Sequence, residues 1–137
     1  MYKKIMVPVD LAHIEKLHKA INTSTDLAKH YGIPICFVGV TAETPTEVAH
    51  NPKEFGERLE RFGAKQSERH GLQIDTAAYP SHDPAIDLDE TLIKAAQENG
   101  ADLIVMASHV PGVPEHIFAS NAGAVASHAG VSVFVIR

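Results

Sequence analysis

Short apolar runs without a polar break, spaced between amphipathic stretches, constrain this chain more than any other feature. Residues 3–9 contain Ile5, Met6, Val7 and Val9. Residues 33–40 contain Ile33, Ile35, Cys36, Phe37, Val38 and Val40, and residues 102–108 contain Leu103, Ile104, Val105 and Met106. A strand with one wet face alternates apolar and polar residues, whereas a strand covered on both faces reads as continuous apolar sequence, as in parallel sheets. These runs therefore predict buried strands. Pro8 has no amide to donate, so the first strand should end near it. A weaker strand is predicted over residues 72–79, and a closing one over 131–136.

The intervening stretches follow a helical period. Ile14, Leu17, Ile21, Thr25 and Ala28 share one face of a helix predicted over residues 13–31, and Gly32 stops it. Phe55, Leu59, Phe62 and Ala64 turn inward over 53–70, where Gly71 closes the helix. Asp83 caps a third helix with Pro84 in its first turn, running through Ile86, Leu88, Leu92, Ile93 and Ala96 to Asn99-Gly100. A short helix of small residues is expected over 120–129. Residues 41–52 read as a polar loop, 80–84 as a turn and 109–118 as irregular. The order β-α-β-α-β-α-β-α-β predicts an α/β fold. It is a single doubly wound, Rossmann-like open sheet of five mainly parallel strands with four helices, in one domain over residues 1–137.

Charge narrows the partners. Lys plus Arg number 12 and Asp plus Glu 17, a formal net charge of −5, which argues against a general nucleic-acid binder or an anionic membrane surface. One Cys excludes an internal disulfide and a Cys-only zinc site, and Cys36 reads as a small buried apolar residue. No apolar stretch nears the roughly 20 residues of a membrane span, and residues 1–8 lack the layout of a signal peptide. The expectation is a cytoplasmic protein. From residue 100 onward the only formal charges are Asp102, Glu115 and Arg137. That last quarter is either core or a site built from backbone.

Ligands of open α/β sheets bind outside the carboxyl ends of the strands, where strand order reverses. The candidate segments are Pro8-Val9-Asp10, Val40-Thr41-Ala42, Tyr79-Pro80-Ser81 and the stretch from Met106 to Asn121. In the last, a strand ends in Ala107-Ser108-His109, a Pro/Gly loop follows, and Ser120-Asn121 opens a helix. Helix N-terminal amides suit phosphate, and the same Ser120 also reads as a plain N-cap. Asp10 has two readings as well: a cap for the following helix, or a carboxylate that accepts from ribose hydroxyls or assists a metal ion.

These segments resemble the universal stress protein family over nearly the whole chain. Lys3-Lys4-Ile5-Met6-Val7-Pro8-Val9-Asp10 resembles its opening strand and Pro-x-Asp turn, and Asp83-Pro84-Ala85-Ile86 the start of its third helix. Gly100-Ala101-Asp102-Leu103-Ile104-Val105-Met106 resembles its penultimate strand. Ser127-His128-Ala129 with Ser132-Val133-Phe134-Val135-Ile136-Arg137 resembles its close. Nucleotide-binding members carry a G-2x-G-9x-G motif, followed by Ser or Thr, after the fourth strand. Here Ala107, Val110 and Ala119 stand at the glycine positions, and the spacer is one residue short. The Ala-Ser-His-x-Pro opening and shortened loop instead resemble the F-type bacterial branch. Alanine adds one methyl, so Ala107 and Ala119 still allow phosphate near the amides where φ is negative, whereas Val110 disfavours a left-handed backbone.

The resemblance implies an adenine nucleotide alpha hydrolase-like fold that binds ATP or another adenine nucleotide, with Mg2+ held through the phosphates. Pro8, Val9 and Asp10 are implied on the adenine and ribose side, with Val40 on the base. Met106, Ala107, Ser108, His109 and Val110 follow the ribose and α-phosphate. Ala119, Ser120 and Asn121 face the outer phosphates, and Ser132 and Val133 the ribose-phosphate edge. It also implies a homodimer through the closing strand, with further assembly to a tetramer, and a stress-response binding protein with at most weak ATPase activity. The rival from another class is a nucleotide-free dimeric interaction protein with a degenerate phosphate loop. Asp10, Ser108 and His109 suggest a hydrolytic triad, but no G-x-S-x-G elbow supports it. A phosphoacceptor domain lacks its acidic pair, and the nine histidines show no metal-ligand spacing.

Overall fold

The computed structural model describes residues 1–108 and 122–137. Strand β1 (Ile5–Pro8) leads through a 3-10 segment (Leu11–Lys16) into helix α1 (His18–Tyr31). Strand β2 (Ile35–Ala42), helix α2 (Pro52–His70), strand β3 (Ile74–Ser81) and helix α3 (Pro84–Glu98) follow. Strand β4 (Leu103–Ala107), helix α4 (Ala122–His128) and strand β5 (Ser132–Ile136) complete the order. The five strands form one sheet in the order β3-β2-β1-β4-β5, and every pairing is parallel. The chain winds outward from β1 to β3, then crosses back to β4 on the other side of β1.

The unbroken apolar runs are explained by burial on both faces. Ile5, Val7, Val9, Ile35, Phe37, Leu103 and Val105 point into one core layer with α1 and α2, built on Leu17, Ile21, Phe55 and Leu59. Met6, Cys36, Val38, Val40, Ile104 and Met106 point into the other, against Leu88 and Leu92 of α3 and Ala122 and Val125 of α4. Cys36 is buried as expected, and burial pushes its thiol pKa up, which keeps it unreactive.

Three local details depart from the expected pattern. The first helix does not run from residue 13. The Asp10 side chain accepts from the Ala12 amide at 3.0 Å and starts a tight turn instead. The backbone breaks helical geometry at His13 (φ −136°, ψ 47°), and the α-helix begins only at His18. Strand β2 begins at Ile35 rather than at residue 33 and reaches Ala42. Strand β3 runs through Pro80 to Ser81, where a turn was expected. It is an edge strand, where a proline's missing amide is tolerated. Helix α2 starts as caps require: Asn51 accepts from the Glu54 amide at 2.8 Å, Pro52 occupies the first turn, and Gly71 ends it at φ 65°.

Helix α2 lies very close to the sheet at Gly39. A Cβ there would stand 2.7 Å from two ring atoms of Phe55 and 3.1 Å from Leu59 Cδ2. Phe55 is buried, so its ring has little room to retreat. Gly39→Ala is therefore expected to destabilise the protein by about 1–3 kcal/mol through overpacking. Phe55→Leu in the same chain should recover part of that loss, as a non-additive double-mutant cycle in urea unfolding.

Candidate nucleotide crevice at the strand carboxyl ends

Strand order reverses between β1 and β4, so the crevice lies beyond Pro8 and Ala107. Pro8 ends β1 and is buried. The Val9 amide donates to the Val38 carbonyl at 2.8 Å, and its side chain is in the core beside α1 and α2. Asp10 stands at the mouth. One carboxylate oxygen accepts from Ala12 N, and the other lies 2.9 Å from His13 Nδ1. Its side chain is only 13% exposed. The cap reading of Asp10 is thus realised in the fold, and the same carboxylate borders the crevice.

Val40 and Met106 belong to the α3/α4 face, Met106 fully buried and Val40 nearly so. The side chains of Val9 and Met106 are consequently packing groups, and what they offer a ligand is backbone. Ala107 and Ser108 are half-buried, and the Ser108 amide donates to the Ile136 carbonyl at 2.6 Å. His109, Val110, Ala119, Ser120 and Asn121 lie outside the described residues.

Ser132 and Val133 do not join this group. The parallel register sets Ser132 opposite Leu103 and Val133 opposite Ile104, at the amino end of the sheet. Four strand residues at about 3.3 Å each put Ser132 roughly 13 Å below the level of Ala107. The hydroxyl of Tyr2 donates to Ser132 Oγ there at 3.0 Å. Asp102 marks the same amino end. Its carboxylate accepts from the Lys3 and Lys4 amides at 3.0–3.2 Å. Partial burial acts against ionisation, but these amide hydrogen bonds prevail and hold its pKa below the ordinary carboxylate value.

Two further groups stand at the carboxyl end, of which His13 was not singled out from sequence. His13 is held against Asp10, a contact that depends on the 3-10 turn. Ser81, paired in register with Ala42, is buried, and its Oγ has no hydrogen-bond partner among the described residues. Ser81 belongs to the candidate segment Tyr79-Pro80-Ser81, in which Pro80 and Ser81 read as turn and are strand instead. No group of three His, Cys, Asp or Glu side chains among the described residues is arranged to hold a metal ion. No helix among them is long and apolar enough to cross a membrane.

Comparison with known proteins agrees with this architecture. The model of the Universal stress protein family matches residues 1–137. Universal stress protein G of Shigella flexneri is 30% identical over 142 aligned positions, covering 100% of both chains. A universal stress protein structure from Archaeoglobus fulgidus superposes with a TM-score of 0.74 at 18% identity, covering 100% of this chain and 95% of its own. A second A. fulgidus structure, in complex with dAMP, superposes at 0.69 and 18% identity over 99% and 98% of the two chains. A family match along the whole length, on a sheet of this order, means that the chain belongs to the universal stress protein family.

Proposed function

We propose that this chain binds an adenine nucleotide, ATP or AMP, in the crevice beyond β1 and β4, and works as a cytoplasmic stress-response binding protein, not a turnover enzyme. The reversal of strand order carries this reading, because it sets Asp10 beside the Ala107-Ser108 end of β4. The A. fulgidus relative captured with dAMP supports the ligand class. Pro8 and Asp10 border the ribose and base, Val40 lies beneath the base, and the backbones of Val9, Met106, Ala107 and Ser108 supply polar groups. His109, Val110, Ala119, Ser120 and Asn121 complete the phosphate side by family resemblance. A divalent ion comes with the nucleotide on its phosphate oxygens. Asp10 is already engaged with Ala12 and His13, and no group of three His, Cys, Asp or Glu among the described residues is arranged to hold the ion. The Ala-Ser-His-x-Pro opening supports the F-type branch of the family, and the similarity to universal stress protein G is in keeping with it.

Titration calorimetry of the nucleotide-stripped protein tests the reading. Heat of binding with ATP, ADP or AMP at or below millimolar concentration is the expected result. Silence with all three leaves the nucleotide-free interaction protein as the reading. Asp10→Ala should weaken the nucleotide about tenfold by removing a charge-assisted acceptor, and lower stability by about 1 kcal/mol by removing a cap. A thermal melt separates the two effects.

Self-association through β5 belongs to the same proposal. β5 is an edge strand, with Phe134 44% and Val135 37% exposed. An open ladder edge with apolar side chains on both faces suits pairing with its own copy across a two-fold axis. Light scattering should give a dimer or tetramer for the native chain, and a monomer for Val135→Lys at the same micromolar concentration.

A further inference from the structure

A groove on the α1/α2 face of the sheet is lined by none of the residues assigned to the nucleotide. Its volume is about 510 Å3, within the range of small-molecule sites. Its floor is apolar: Leu11, Ile14, Val48 and Phe62, each only partly buried. Leu11, Val48 and Phe62 pack from above onto the core, and the Phe62 ring lies 5.6 Å from Phe37, so the floor is braced from beneath.

The rim is cationic. Arg58, Arg61 and Lys65 line it from α2. Positions three and four apart share one helix face, and seven residues of rise set this row over about 10 Å. Arg58 is paired with Glu54 at 3.5 Å. Among the described residues, Arg61 and Lys65 have no carboxylate partner. Glu47 on the facing loop is the one acidic residue of the lining among the described residues. With Arg58 held by Glu54, Arg61 and Lys65 face Glu47 across an apolar floor, in a chain whose net charge is −5.

We propose that this groove is a second binding site, for a single-chain amphipathic anion. Arg61 and Lys65 hold the head, a carboxylate, and the apolar body lies along Leu11, Val48 and Phe62. Guanidinium matches a carboxylate through paired N–H donors, and the ammonium adds a point charge. The occupant is a small molecule rather than an acidic protein surface, because Glu57 and Glu60 are exposed on the same helix and would meet that surface with like charge. None of the residues that line the groove is among those given to the nucleotide.

Titration calorimetry of the full chain with decanoate, below its micelle concentration, tests the proposal. Saturable binding is expected, weakened at least tenfold in decanol, which lacks the charge, and in butyrate, which lacks the body. Arg61→Ala/Lys65→Ala, at exposed positions, should lose at least tenfold in decanoate affinity while keeping the native melting curve and nucleotide response. Raising the salt concentration should weaken decanoate binding to the native chain, a readout that needs no variant. Absence of decanoate binding, decanol binding as tight as decanoate, or affinity indifferent to salt or to the double substitution would overturn it. So would binding only to anionic phospholipid vesicles and not to free decanoate.

Discussion

The fold depends on the fact that β1 has no face toward water. Ile5, Met6 and Val7 are fully buried, two on one side of the sheet and one on the other. A strand in that position needs a strand on each flank and a helix layer on each face. Parallel pairing meets the first need only through crossovers, and right-handed crossovers send α1 and α2 to one face and α3 and α4 to the other. Placing β2 on one side of β1 and β4 on the other leaves the two connections diverging above the sheet. The crevice is therefore a by-product of burying β1. Asp10 and Ser108 reach it because they are the residues that follow the buried runs of β1 and β4.

Charge is distributed to match. Beyond residue 100 the formal charges are Asp102, Glu115 and Arg137. Asp102 is committed to the Lys3 and Lys4 amides at the amino end, far from the crevice. Residues 103–121 carry no lysine or arginine, so under the proposed function a phosphate at the carboxyl end would be met by amides, hydroxyls and a cation carried with the nucleotide. The cations are gathered on α2 instead, where Arg61 and Lys65 stand above apolar residues without carboxylate partners among the described residues. The two proposed sites would thus meet anions with different chemistry: oriented backbone at one, side-chain charge at the other.

Much of this was legible in the residues. The uninterrupted runs at Ile5, Ile35 and Leu103 reported burial on both faces, and with it a parallel sheet. Gly32 and Gly71 ended helices where their sequence position indicated. Pairing register was not legible. Ser132 and Val133 are part of the family-like closing pattern, but a parallel β5 begins at the amino end of the sheet, so its first residues lie far from the crevice. The 3-10 turn was hidden because Ile14 continues the helical period of Leu17 and Ile21. A single side-chain bond from Asp10 to Ala12 decides otherwise. Pro80 suggested a turn, and only the edge position of β3 makes a strand possible there.

That turn is where the two faces come closest in sequence. Asp10 and His13 stand at the crevice, while Leu11 and Ile14 line the groove above α2. Elsewhere the faces are separated by close-packed sheet, which yields little without repacking. A 3-10 segment has poorer hydrogen-bond geometry than an α-helix and gives way more readily, and this one is already broken at His13. Its shape is set by the Asp10 cap. The carboxylate assigned to the nucleotide thereby also fixes the wall of the second groove, and any coupling between the two sites has its shortest route through residues 10–14.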